Sequence, residues 1–197
     1  MRKSFFFIIT ILLFNSSVSA YNSSPKEFIN ELVNDVISKL SDKSINKDEK
    51  SQFVEKIALE NIDVDALGLY TLGELRKSAA EQDLINYQAT FEKYFLKSLT
   101  SRLTDYSSSK FEITSAEQKS SNYTIVKSKI TPDDGSTEIK IDWRVYTKNP
   151  DKPLIRDLIV EGLSLARTQK EEFASILNSN NNDIKILISE LENFINN

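Results

Sequence analysis

The spacing of apolar residues changes twice along this chain, and those changes restrict its fold more than any single motif. Phe28, Leu32, Val36 and Leu40 recur every four residues, and Leu84, Tyr87, Phe91, Phe95, Leu99 and Leu103 follow the same rhythm. Such a row lines one face of an α-helix. From Lys110 the spacing falls to two. Ile139, Ile141, Trp143 and Val145 alternate with polar and charged residues, as in a strand with one apolar and one wet face. The helical rhythm returns at Phe173, Ile176 and Leu177, and again at Ile184, Leu187, Ile188, Leu191 and Ile195. Helices, a strand meander, then helices is an α+β order. It predicts an antiparallel sheet of four to five strands wrapped by N- and C-terminal helices.

Local signals place the boundaries. Ser24-Pro25-Lys26-Glu27, Ser78-Ala79-Ala80-Glu81 and Thr168 to Glu171 have the form of capping boxes that open helices. Further helical pieces are predicted over Lys47 to Glu60 and over Val64 to Lys77, the latter loosened by Gly68 and Gly73. The long helix is predicted from about Ala79 to Tyr106. Strands are predicted over Lys110 to Gln118, Asn122 to Thr131, Glu138 to Val145 and Leu154 to Leu163. Pro132 to Gly135, Asn149 to Pro153 and Asn178 to Asn182 read as turns. The last strand carries apolar residues on both faces, which predicts a place inside the sheet. The helices, the long one included, are the expected cover for its apolar face.

Residues 1–20 form a separate unit. Arg2 and Lys3 precede an apolar run from Phe5 to Phe14, and Val18-Ser19-Ala20 offers a small-residue cleavage pattern. This is the layout of a secretory signal peptide, and the run is short for a bilayer span. No cysteine follows it, so a lipoprotein anchor is excluded. Residues 21–197 are then expected to form a single domain. Loss of Arg2 and Lys3 moves the net charge from −4 to −6. An acidic export product suits nucleic acid poorly, because phosphates demand basic surfaces.

The chain has no histidine and no cysteine. That removes the usual acyl-transfer triad, most zinc sites, thiol nucleophiles and iron–sulfur clusters. Carboxylates, lysines, tyrosines and hydroxyls remain. With 29 acidic residues, chance pairs are inevitable and no pair is informative. Composition alone therefore leaves carboxylate chemistry open.

The stretch from Asp157 to Phe173 begins as a strand and ends as a helix, with Gly162 at the change. Within it, "IVEGLSLARTQKEEFASIL" resembles the C-terminal signature of the MlaC-type phospholipid-shuttle proteins, also called the toluene-tolerance family. The matching positions are Asp157, Glu161, Gly162, Leu163, Ser164, Leu165, Phe173, Ile176 and Leu177. "LGELRKSAAEQ", with Leu72-Gly73 and Lys77-Ser78, resembles the middle of that family. The strand bearing Ile141-Asp142-Trp143 precedes the signature, as it does there. The departures are Asn180 to Asn182, where the family often has glycine, and the region before Val64, which is too divergent to align.

The resemblance implies a periplasmic carrier with a cystatin/NTF2-like wrap of helices and sheet. Its ligand would be a phospholipid held by its acyl chains, with the headgroup largely outside. Its partners would be an outer-membrane lipoprotein–porin complex and the inner-membrane MCE-domain protein of an ABC transporter. A sixteen-carbon chain in water costs roughly 12 kcal/mol, at about 0.8 kcal/mol per methylene, so such a carrier needs an apolar cavity and no catalytic group, and the resemblance implies no cofactor and no enzymatic activity. The expected lining is Tyr70, Leu72, Leu75, Phe91, Tyr94, Phe95 and Leu99 from a helical roof. Ile139, Ile141, Trp143, Leu158, Val160 and Leu163 would come from the sheet, and Phe173 and Leu177 from the closing helix. Asp157, Glu161, Gly162 and Ser164 are expected to be structural. Lys140 and Arg144 fall on the wet face. Three other possibilities stay open at this level: a carrier of another lipid such as a hopanoid, an adaptor of the transport complex with a filled core, and a carboxylate hydrolase.

Overall fold

The computed structural model describes residues 21–103, 109–133, 135 and 137–197. The segment read as a signal peptide, Tyr106 at the expected end of the long helix, and Asp134 in the expected turn lie outside these residues. The described elements follow the predicted order: α1 (Pro25–Ser41), α2 (Lys47–Asn61), α3 (Val64–Thr71), a 3-10 turn (Gly73–Lys77), α4 (Glu81–Leu103), β1 (Ser109–Ser120), β2 (Tyr123–Pro132), β3 (Ile139–Tyr146), β4 (Leu154–Val160), β5 (Leu163–Ser164), α5 (Leu165–Ser179) and α6 (Ile184–Asn196). The strands form one antiparallel meander in sequence order, β1 to β5.

The helix caps differ from the three expected boxes. At α1, Pro25 takes the first helical position, but the Ser24 side chain caps nothing. The Ser24 N–H that Glu27 would accept donates instead to Asn22 Oδ1 at 2.8 Å. Ser78 does not cap α4, because its N–H and that of Ala79 turn back to the Leu75 carbonyl and close the 3-10 turn. Thr168 lies inside α5, its hydroxyl donating to the Ser164 carbonyl. Among the described residues, the one complete box is at α2. There Asn46 Oδ1 accepts from the Glu49 N–H at 2.9 Å and Glu49 Oε2 accepts from the Asn46 N–H at 3.1 Å. Between α5 and α6, Asn181 and Asn182 take φ of 54° and 57°. Asparagine is the residue best able to replace glycine in that conformation.

The expected final strand is two strands. Leu154 to Val160 runs beside β3, the chain reverses at Glu161-Gly162, and Leu163 pairs back with Val160. Glu161 has φ 49° and Gly162 φ 83°, as a two-residue hairpin of type I′ requires. The Glu161 carboxylate holds the turn by accepting the Lys140 N–H. A Cβ on Gly162 would meet nothing within 4 Å, so only its backbone angle demands glycine. Gly162→Ala is therefore expected to destabilise the fold by about 1–2 kcal/mol without disturbing packing. A lowered urea midpoint with an unchanged slope is the expected observation.

A bulge also re-phases β4. Arg144 pairs with Asp157 but Val145 pairs with Ile155, so Arg156 is the extra residue. Strict alternation would separate Ile155 from Leu158. The bulge instead brings Ile155, Leu158 and Val160 to the face of Val145, Trp143 and Ile141.

The cover of that face is α1, not the long helix. Phe28, Ile29, Leu32 and Val33 pack with Val126, Trp143, Val145 and Ile155, and Leu158 and Ile141 join them. The Trp143 indole N–H is satisfied by Ser128 Oγ at 2.8 Å. The stripe of α4 is spent on a second, helical cluster. Tyr87 and Phe91 pack there with Val64, Leu72, Phe173, Leu177, Ile184, Leu187 and Leu191. Tyr87 and Phe95 stack on either side of Phe91, and Phe173 meets it edge-on. Ile62 touches both clusters.

Candidate functional site

Two polar locks fix the edge of β4. The first is the signature corner. Asp157 is buried; its Oδ1 accepts the Ala166 N–H at 3.1 Å and its Oδ2 accepts the Ser164 hydroxyl at 2.7 Å. Ser164 Oγ in turn accepts the Arg167 N–H and caps α5. A buried carboxylate thus meets a helix N-terminus, where the free N–H groups favour negative charge. Arg144 stands 3.8 Å from Asp157 on the neighbouring strand.

The second lock ties the α2–α3 junction to the bulge. Ile62 forms a parallel bridge with Ile155, and the Asp63 N–H donates to the Ile155 carbonyl at 2.9 Å. Arg156 Nε donates to Asp63 Oδ2 at 2.7 Å, and its Nη1 donates to the Tyr123 hydroxyl at 3.0 Å. Its guanidinium lies 3.4 Å from the Tyr146 ring centre. Asp63 also caps α3 through the Ala66 N–H.

Between the two locks, β4 faces a cavity through Ile155, Asp157 and Leu158. The space measures about 200 Å³ and is lined by α4, α3, β4 and the start of α5. One continuous helical row supplies the α4 wall: Phe91, Tyr94, Phe95, Ser98, Leu99 and Arg102. Ile62, Leu67, Ile155, Leu158 and Leu165 add apolar surface, and Asp157 and Ala166 mark the corner. Thr71 lies at the wall with its polarity spent, donating to the Gly68 carbonyl at 2.9 Å and bonded to the Tyr87 hydroxyl at 2.9 Å. Arg102, Leu165, Thr168 and Glu172 are exposed and form the mouth. The interior is therefore largely apolar, and Arg102, Thr168 and Glu172 bring polar groups to the rim beside Leu165.

The expected lining residues divide into three groups. Phe91, Tyr94, Phe95, Leu99 and Leu158 stand on the cavity wall. Leu72, Leu75, Phe173 and Leu177 stand in or against the helical cluster, while Ile141 and Trp143 stand in the cluster beneath α1. Ile139 and Val160 are half-buried on the sheet, Tyr70 is exposed beneath Lys170, and Leu163 is 69% exposed at the hairpin. Ser98, Arg102, Gln169 and Glu172 escape a reading based on apolarity alone. Ser98 and Arg102 were available from the helical row, since they continue the spacing of Phe91 and Phe95.

Burial lifts the Tyr94 hydroxyl above the ordinary tyrosine range, and the nearby Glu172 adds to the effect. Burial does the same to Tyr87. A group whose folded pKa is raised contributes stability below its unfolded value and loses it as pH climbs through the folded one. Stability should therefore decline above the unfolded tyrosine value of about 10. The stability difference between the wild-type chain and Tyr94→Phe should shift against the wild type between about pH 9 and pH 11, as the unfolded tyrosine ionises. A difference independent of pH would contradict the assignment.

Among the described residues no group of three or more Asp and Glu is placed to hold a metal ion, and no helix is long and apolar enough to cross a membrane. A family model described as MlaC protein matches residues 28–193. Among solved structures, the chain is similar to a phospholipid-binding protein from Ralstonia solanacearum determined in complex with a phospholipid. The TM-score is 0.71 at 17% identity, over 85% of this chain and 94% of that one. At that identity the likeness establishes the fold.

Proposed function

We propose, on the premise that the chain belongs to the MlaC protein family, that it is a non-enzymatic carrier that binds phospholipid by its acyl chains. The observation that carries this reading is the apolar cavity with a polar mouth, set between α4, β4 and the start of α5. A cavity of this kind returns to an acyl chain the roughly 0.8 kcal/mol per methylene that water withholds, and it needs no reactive group. The phospholipid bound to the similar Ralstonia protein supports the same ligand class. The buried carboxylate at the wall, Asp157, is committed through both oxygens to the corner, so it is not free for hydrolytic chemistry.

In this reading residues 1–20 are a signal peptide and 21–197 one lipid-binding domain of the periplasm. The carrier receives and delivers lipid between an outer-membrane lipoprotein–porin complex and an inner-membrane MCE-domain ABC transporter, which maintains outer-membrane asymmetry. The test is lipid transfer. Residues 21–197 should move a labelled phospholipid from donor to acceptor vesicles separated by a protein-permeable barrier, at a rate proportional to protein concentration. Failure to move phospholipid, with movement of a labelled triterpenoid instead, would reassign the cargo. Failure to move either would leave an adaptor.

A further inference from the structure

The mouth of the cavity carries one cation and one anion that are not paired with each other. Arg102 closes the α4 row and Glu172 stands on α5; both line the cavity and both are exposed. Among the described ion pairs, neither takes part in one within 4.0 Å. Glu172 is held in place: Gln169 Nε2 donates to its Oε2 at 2.9 Å, and Gln169 Oε1 accepts the Tyr94 hydroxyl at 3.0 Å. Tyr94 is in turn packed against Phe173 and Phe194. The carboxylate is thus positioned by a chain of bonds rooted in the core, while Arg102 belongs to the α4 wall of the same cavity.

The geometry points to a headgroup site matched to a zwitterion. Arg102 takes the phosphodiester of the lipid and Glu172 takes a headgroup ammonium, so the carrier prefers aminophospholipid to anionic phosphatidylglycerol. This rests on the acyl-carrier reading above and adds to it the choice of headgroup. An arginine fork suits a phosphodiester, and a carboxylate suits a primary ammonium, which offers three donors. An anionic headgroup at the same mouth would satisfy Arg102 and leave Glu172 facing negative charge. The net charge of −6 on residues 21–197 opposes an anionic lipid further.

The experiment is recovery of bound lipid after expression in a host whose membrane holds both phosphatidylethanolamine and phosphatidylglycerol. The chain is purified without detergent, extracted, and the headgroup ratio is compared with that of the host membrane. Wild type should be enriched in the aminophospholipid by about fivefold, the ratio set by one exposed ion pair. Glu172→Lys should reverse the preference. Glu171→Lys makes the same change of net charge one residue away, at an exposed position that does not line the cavity, and should retain the wild-type ratio. A wild-type ratio equal to that of the membrane, an unchanged ratio in Glu172→Lys, or an equal shift in Glu171→Lys would each overturn the headgroup site while leaving the acyl carrier intact. Absence of any phospholipid from the wild-type extract would overturn the carrier reading, and this inference with it.

Discussion

Ser98→Trp should abolish phospholipid binding while leaving the fold in place. Ser98 sits in the middle of the α4 row that forms one wall of the cavity, between Phe95 and Arg102. An indole there would occupy much of a space of about 200 Å³. If it excludes five methylenes, binding weakens by about 4 kcal/mol, close to a thousandfold. Overpacking costs about 1–3 kcal/mol in stability, so the variant should still unfold cooperatively. Ser98→Phe, which is smaller, should keep near-native stability and show the same direction of effect. Titration of the delipidated chains with a fluorescent phospholipid would check both. Wild-type affinity in a folded Ser98→Trp chain would place the ligand elsewhere.

Asp157→Ala should be the most damaging single change at the corner, at about 3 kcal/mol. Its removal strips the acceptor from the buried Ala166 N–H and from the Ser164 hydroxyl that caps α5. Hydrogen bonds to a charged acceptor contribute about 1.5–3 kcal/mol each, and a buried donor left unsatisfied adds to the loss. For a domain of this size the melting temperature should fall by roughly 10 °C. Asp157→Asn keeps one acceptor oxygen and should lose less. Thermal unfolding of the three chains gives the order wild type, Asn, Ala. An alanine variant as stable as wild type would mean that the corner does not hold the sheet to α5.

Much of this architecture is legible in the sequence, because the change of apolar period from four to two is a direct consequence of side-chain geometry. Element order, the one-sided sheet and the α4 row of Phe91, Tyr94, Phe95 and Leu99 follow from it. What it does not reveal depends on partners far along the chain. The bulge at Arg156 exists beside Asp63, which lies 93 residues away, and Tyr123. No pattern local to β4 announces it. The Glu161-Gly162 reversal hides in an apolar run, and glutamate with positive φ is an uncommon turn residue. The choice of α1 over α4 as the cover of the sheet is equally non-local, since both helices carry an apolar stripe. Only packing against α3, α5 and α6 shows that the stripe of α4 is already taken. The cavity follows from this division of the core into two clusters, and its polar mouth was invisible to a search for apolar residues.

The most direct measurement is native mass spectrometry of residues 21–197 purified from the periplasm without detergent. A folded chain carrying one phospholipid is expected, seen as a single adduct of phospholipid mass that collisional activation releases. A folded chain that flies only at the mass of the bare polypeptide, from a preparation whose lipids survive purification in a known lipid-binding control, would contradict it.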